Sequence, residues 1–356
     1  MTRCLVTKLA GIADNDSLNK IGEARIHISK VGSPTVSTQG INFAFAKEAV
    51  LRIVGDGYFT DATLAENKGK TLTIPANLGG ISTPVYFSNG DYDIVFNKYD
   101  IIRVENFTAG NASYADNRVF DIDDFKYSNS LLYLNIIGGA SYGDLESISK
   151  LNKIISISLS GCKHITGDLE DIKDNIAVKN ISFSDNVTGD ISSLKRLTKL
   201  EALESPSNTY LKGDISVFAN MPNLATLVLR KASLSGDISS FENTKLSYVL
   251  IDNGNYTGDL SKFPSTKEAI FYANNANSFT WSNRSSTKYI FGMSISKSTV
   301  DNIDKMLQDL SACQVGYSGD LLWKRSITVG GTRTSASDDA VASLQQKGYT
   351  ITINKA

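Results

Sequence analysis

Histidine is scarce in this chain: two residues, His27 and His164, in 356. That scarcity argues against most hydrolytic and metal-dependent chemistry, which leans on imidazole. Cysteine is nearly as rare. Cys4, Cys162 and Cys313 are far apart and odd in number, so they form neither a disulfide framework nor a zinc-ligand cluster. No apolar run approaches the ~18 residues a membrane-spanning helix needs. Formal charge is −1, with no basic excess to attract nucleic acid. The start, Met1-Thr2-Arg3-Cys4-Leu5-Val6-Thr7-Lys8-Leu9, lacks the apolar core of ~7–15 residues of a secretion signal. Walker and His-Glu-x-x-His motifs are absent. The reading is a non-enzymatic protein without a cofactor, without membrane insertion and without a nucleic-acid partner.

What the chain does have is a period. Gly-Asp followed by Leu or Ile recurs with its aspartate at Asp144, Asp168, Asp190, Asp214, Asp237 and Asp259, at intervals of 24, 22, 24, 23 and 22 residues. Spacing of this kind signals stacked solenoid coils. Before each mark lies a short apolar frame, such as Leu224, Leu227 and Leu229. Equivalent triplets are Leu131, Leu134, Ile136; Ile154, Ile157, Leu159; Val178, Ile181, Phe183; and Leu246, Val249, Ile251. Looser versions are Leu200, Leu203, Ser205 and Lys267, Ile270, Tyr272. Three residues later stand Cys162, Asn186, Asn208 and Asn275. Residues two apart on a strand share a face, so the frame marks inward positions. A buried Asn can satisfy backbone groups of a neighbouring turn. Gly suits a tight bend, and Asp accepts bonds from nearby amides. The aspartate column reads as turn capping rather than a calcium ladder, because one carboxylate per coil is a thin ligand set. Cys162 and His164 likewise read as a ladder residue and a loop residue, not a metal pair.

The frame resembles the leucine-rich repeat, L-x-x-L-x-L-x-x-N/C, over roughly residues 125–295. Gly-Asp-Ile/Leu is similar to the Gly-x-Ile stretch of the plant-type subclass. That resemblance implies an additional short strand on the convex side.

The flanks differ from the repeats. Residues 1–122 show short alternating runs at Cys4–Leu9, Glu23–Ser29, Ala49–Val54, Thr71–Ile74, Pro84–Phe87, Asp93–Phe96 and Ile101–Val104, with Asn89-Gly90 as a turn. These predict a β-rich domain, a sandwich or small barrel. Asp121-Ile122-Asp123-Asp124 and Gly55-Asp56-Gly57 read as solvated turns. After the solenoid, 123–296, residues 297–356 predict a β-α-β-α-β cap. Ser298 would cap a helix bearing Val300, Ile303, Met306, Leu307 and Leu310. Ser337 would cap a second helix that ends at Gly348, before a strand from Tyr349 to Ile353. The whole is a multidomain α+β chain.

Function is expected on the concave strand face. Its outward positions run Ser156, Ser158; Asn180, Ser182; Ala202, Glu204; Thr226, Val228, Arg230; Tyr248, Leu250, Asp252; Ala269, Phe271. Val228, Arg230, Tyr248, Leu250, Asp252 and Phe271 form the candidate ligand site, an apolar and aromatic cluster rimmed by charge. Packing against the N-terminal domain or a sister subunit would use the same surface.

Cys4-Leu5-Val6-Thr7-Lys8-Leu9, Asn15-Asp16-Ser17-Leu18 with Ile21-Gly22-Glu23, and Gly55-Asp56-Gly57-Tyr58-Phe59-Thr60 resemble N-terminal domains of virion proteins from crAss-like phages of gut Bacteroidales. The segment Thr332 to Asp338 is similar to repeat proteins of the same bacteria and phages. This resemblance implies a virion structural protein, a head or tail fibre, docked through its N-terminal domain on other virion proteins. The solenoid would then face a host-surface polysaccharide or protein, in a chain that could also self-associate. A bacterial leucine-rich-repeat interaction or adhesion module is the alternative. A glycan depolymerase using Glu204 and Asp252 is the second, since such chemistry needs two carboxylates ~5–9.5 Å apart.

Overall fold

The computed structural model describes residues 22–29, 38–63, 65–78, 82–109, 118–138, 140–267, 269–273, 275–316 and 325–354. The stretch expected as a strand from Cys4 to Leu9 lies outside them.

The first part is two facing antiparallel sheets. One has the order Arg118–Phe120, Glu23–Ile28, Tyr92–Asn97, Ala49–Gly55, Thr71–Ile74. The other runs Ile101–Ala109, Thr38–Phe45, Thr83–Phe87, Phe59–Thr60, Asn67–Gly69. Alternation decides the faces. Ile41, Phe43 and Phe45 point inward, and the two phenylalanines meet Phe96 of the opposite sheet, with ring centroids 5.3 Å (Phe43) and 6.0 Å (Phe45) away. The strand Thr38–Phe45 escaped the sequence reading. Asn89-Gly90 does join two strands, Thr83–Phe87 and Tyr92–Asn97, but these lie in opposite sheets and not side by side.

The second sheet does not stop there. Ile101–Ala109 pairs in parallel with Tyr133–Asn135, the first concave strand of the solenoid. From it the strands Ser156–Ser158, Asn180–Ser182, Ala202–Glu204, Thr226–Val228, Tyr248–Leu250, Ile270–Tyr272, Gly292–Val300, Ser326–Gly330 and Thr350–Asn354 follow in parallel. With the short strand Ser278–Phe279, which pairs in parallel with the end of Gly292–Val300, the described residues form one sheet of sixteen strands. Behind it lies a single hydrophobic cluster reaching from Ala24 to Tyr349. The expected boundary near residue 122 falls where Arg118–Phe120 of the first sheet passes directly into the turn Ile122–Phe125.

Each coil adds a second short parallel strand, such as Leu211–Asp214 and Ser233–Asp237, on the far side of the core. A 3-10 turn follows it, for example Ile215–Asn220. Each coil thus closes a Leu/Ile/Val core between one concave strand and one short strand on the far side.

The last coils exchange 3-10 turns for two α-helices, α1 (Ile303–Ala312) and α2 (Asp338–Gln346). Ile303, Met306, Leu307 and Leu310 are the buried face of α1. Two details differ from expectation. Ser298 and Val300 belong to the strand Gly292–Val300, so the helix begins later and is capped by Asn302, whose side chain accepts from the Lys305 amide at 3.2 Å. Ser298 is fully buried and donates to the Asn275 carbonyl at 2.6 Å, which keeps it in the sheet. Ser337 precedes α2 but makes no cap bond to it; its hydroxyl bonds to Asp304 of α1 instead. Gly348 ends α2 at φ +84°. No helix among the described residues is long and apolar enough to cross a membrane.

Candidate functional site

The turn edge closes each coil behind the concave face. Every repeat aspartate starts a 3-10 turn by accepting the amide two residues on: Asp144 from Glu146 at 3.0 Å, Asp168 from Glu170 at 2.9 Å, Asp190 from Ser192 at 2.9 Å. Asp214, Asp237 and Asp259 do the same at 2.8, 2.7 and 2.9 Å. This satisfies one of the amides a helical turn leaves open at its start. The other carboxylate oxygen reaches the next coil, as where Thr166 and Thr188 donate to Asp144 and Asp168 at 2.9 and 3.0 Å.

The glycine before each aspartate answers two demands. Gly213 sits at φ +130°, where a side chain is strained, and a Cβ there would lie 2.5 Å from Oδ1 of Asp190 in the preceding coil. Gly236 meets Asp214 in the same way at 2.6 Å. The motif is reciprocal at Gly189, Gly213, Gly236 and Gly258, where the aspartate of one coil packs on the glycine of the next; Gly143 and Gly167 meet Ile122 and Leu145 most closely instead.

Asp121 belongs to this column. It accepts from the Asp123 amide at 3.0 Å and starts the turn Ile122–Phe125, one period before Asp144. It lacks the Gly-Asp mark because Phe120, not glycine, precedes it. Burial raises its carboxyl to about 7, with the neighbouring charges of Asp123 and Asp124 adding to the rise.

No three or more His, Cys, Asp or Glu side chains among the described residues are arranged to hold a metal. Cys162 is buried with its thiol on the carbonyls of Ile136 and Gly138, each at 3.4 Å, while His164 lies exposed in a strand of the turn edge. Asn208 is a full ladder residue: it donates to Ser184 and Val187 carbonyls and accepts from the Tyr210 and Leu211 amides. Asn186 and Asn275 are only half-buried and reach the carbonyls of Lys163 and Gly254 respectively.

The concave face is organised by register. One outward row reads Asn42, Glu105, Asn135, Ser158, Ser182, Glu204, Val228, Leu250, Tyr272, Ser294, Thr328, Thr352, each paired with the next. A second row carries Arg103, Tyr133, Ser156, Asn180, Ala202, Thr226, Tyr248 and Ile270.

Of the six expected ligand residues, five stand on or beside these rows. Tyr248 and Leu250 are half-buried, and Val228 is covered to 6 % exposure by its neighbours. Arg230 pairs with Asp252, Nε to Oδ2 at 2.5 Å, just beyond the strand ends. Phe271 is the exception. It pairs with Val249, faces the core and packs on Phe263 and Phe279 at 5.4 and 6.0 Å. The sequence frame had slipped by one residue there, and such a slip exchanges the two faces. Lys267 at the first expected core position is exposed, and Ala273 fills the third true one. The aromatic residue that faces outward is Tyr272, half-buried and with its hydroxyl pKa raised by that burial.

A second aromatic position was also missed. The Arg103 guanidinium stacks 3.9 Å over the Tyr133 ring and pairs with Glu105 at 3.2 Å. It lies where the antiparallel part of the sheet meets the solenoid, so neither the repeat pattern nor the N-terminal alternation pointed to it. Five strand steps separate Tyr133 from Tyr248, about 24 Å at ~4.8 Å per strand. Small polar residues, Ser156, Asn180 and Ser182, fill much of the interval. Of the two carboxylates suggested for glycan cleavage, Glu204 is exposed on the face and Asp252 is held by Arg230.

No family model and no curated protein matches this sequence. Similar solved structures include a plant peptide hormone receptor, RGFR1, in complex with RGF2, at 18% identity and TM-score 0.39, covering 66% of this chain and 45% of that one. An internalin from Listeria monocytogenes is 16% identical with TM-score 0.34, covering 67% of this chain and 81% of that one. A TDR receptor is 15% identical with TM-score 0.33, covering 67% and 54%. The chain spans about half the length of the two receptors.

Proposed function

We propose that this protein is a non-enzymatic binding module that takes an extended partner across the strands of its concave face. The observation that carries the reading is the outward row itself. Inward positions are filled with apolar residues, whereas outward positions vary and gather half-buried tyrosines at Tyr133, Tyr248 and Tyr272. Amphipathic aromatics of this kind are enriched at binding hot spots. The separation of Tyr133 from Tyr248 suits a ligand lying across several strands, and the Arg230–Asp252 pair adds a charged rim.

The virion assignment rests on the N-terminal resemblance. Of the residues that carry it, Gly22 and Glu23, at the start of the strand Glu23–Ile28, and Gly55 to Thr60, at the end of one strand and the start of the next, are described. Cys4 to Leu9 and Asn15 to Ile21 lie outside the described residues. On this reading the two-sheet part docks on the particle and the solenoid meets the host surface. A bacterial adhesion module would use the same face without a particle.

The test is cell binding by labelled protein. Wild type should bind Bacteroidales cells, and a folded Tyr248→Ala, Tyr272→Ala double variant should bind at least ~10-fold more weakly, the effect of losing one strong hot spot. Equal binding by the variant would overturn the site. Loss of binding after protease treatment of the cells identifies a protein receptor, and loss after periodate a polysaccharide. Mass spectrometry of purified phage particles separates the virion reading from the bacterial one.

A further inference from the structure

Among the described residues, the two ends of the sixteen-stranded sheet are built differently. One end is Asn67–Gly69, three exposed residues with Lys68 paired to Glu66. A short, charged edge of this sort resists pairing with another chain. The other end is Thr350–Asn354, five residues of sequence Thr-Ile-Thr-Ile-Asn, with no charge and no proline.

Burial marks the same end as incomplete. In the preceding strands the inward residues Met293, Ile295, Ile327 and Val329 are at most 1% exposed. Ile351 and Ile353 occupy the same layer, yet both are only partly buried.

The hydrogen-bond directions are determined as well. The Thr350 amide donates to Arg325, and the Asn354 carbonyl accepts from Gly331, so the even-numbered residues face the neighbouring strand. Backbone groups alternate sides along a strand. Ile351 and Ile353 therefore direct their N–H and C=O groups to the open edge.

We propose that this edge pairs with the same edge of a second copy, antiparallel about Thr352, so that one sheet runs through both chains. The register is self-complementary. Ile351 of each chain lies opposite Ile353 of the other as a hydrogen-bonded pair, which makes four backbone hydrogen bonds. The four isoleucine side chains share the inward face and continue the core layer across the junction. Thr352 meets its own copy on the two-fold axis as a non-hydrogen-bonded pair. A two-fold contact between identical patches is closed and consumes the edge.

Helix polarity suits a second copy as the occupant. Helix α2 packs against this strand, with Asp338 already paired to Arg333 and Lys347 donating to the Ser311 and Cys313 carbonyls, so neither charge is needed across the junction. The two-fold operation sets the two α2 helices antiparallel, which suits their dipoles. The contact is small by the standard of ~1,600 Å² for stable interfaces, so the dimer is expected to dissociate on dilution.

Sedimentation velocity of the full chain over a range of concentrations tests this. Wild type should move from monomer to dimer as concentration rises. Thr352→Lys places like charges on the axis at ~5 Å and should weaken dimerisation at least ~10-fold; Thr352→Glu should do the same. Thr352 is exposed, so both variants should keep the wild-type melting temperature within a few degrees. Mixing the two variants should restore a dimer. A wild type that stays monomeric at its solubility limit overturns the proposal. So does a dimer indifferent to both substitutions, and so does a mixture that stays monomeric.

Discussion

The turn edge of the solenoid repeats the same contacts coil after coil, whereas the concave face changes its residue at nearly every strand. Both edges are sampled once per coil and both sit on the same core. The difference is in what each must satisfy. At the turn, Gly213 and Asp190 face a backbone at positive φ and an open amide, demands that return in every coil. On the strand face the ladder bonds are made by backbone, so Ser182, Glu204, Val228 and Leu250 can follow one another without cost to the sheet. Repetition marks the scaffold here, and variation marks the face that the scaffold does not constrain.

The sharpest way to break that comparison is at adjacent residues of one strand. Phe271→Asp buries an uncompensated carboxylate and should destabilise by more than ~4 kcal/mol, whereas Tyr272→Asp, facing outward, should cost less than ~1 kcal/mol. Urea melts of the two variants check it, and equal losses would return Phe271 to the surface.

Next in size is Gly213→Ala, which combines positive φ with a 2.5 Å approach to Asp190 and should cost roughly 2–4 kcal/mol. Gly138, at φ +72° with open space around it, is the control; Gly138→Ala should cost only ~1–2 kcal/mol. If the two melt alike, the contact between coils contributes nothing.

Asp121 sharpens the comparison at the first coil. Its folded pKa, about 7, lies above the unfolded value, so its contribution is fully present below about pH 4 and is lost as pH rises through about 7. Asp121→Asn keeps an acceptor for the Asp123 amide and removes the titration. The variant should gain on the order of 2 kcal/mol over wild type at pH 8 and little at pH 4, read from melts at both pH values. A constant difference between the two would rule this out.

Smallest is Asp214→Ala, the loss of one turn cap, expected to cost ~1 kcal/mol. Asp214→Asn should recover most of it.

The solenoid was legible because its period is carried by several independent signals at once: the apolar frame, the ladder residue and the Gly-Asp turn. Where one failed, the others usually held the register, as at Ser205, which is buried in its expected place and reaches towards the Phe183 carbonyl. At the seventh strand two failed together. Lys267 and Tyr272 mimicked a frame one residue early, and Ala273 was too small to mark the true one. The junction was illegible for another reason. Alternation in Ile101–Ala109 shows which side faces the core but not which strand lies alongside, so its pairing with Tyr133–Asn135, and the Arg103–Tyr133 stack, had no local signature.

The fit of Gly189, Gly213, Gly236 and Gly258 against the carboxylate before each has an evolutionary corollary. The coils between them carry both halves of the joint, one for the predecessor and one for the successor. A gene duplication spanning a single period, wherever its ends fall, would copy a complete joint and insert a coil that already matches both neighbours. The number of coils can therefore change without redesign. Phe120 before Asp121, which departs from the glycine rule, ties the array to the two-sheet part and stands outside the unit that can be copied.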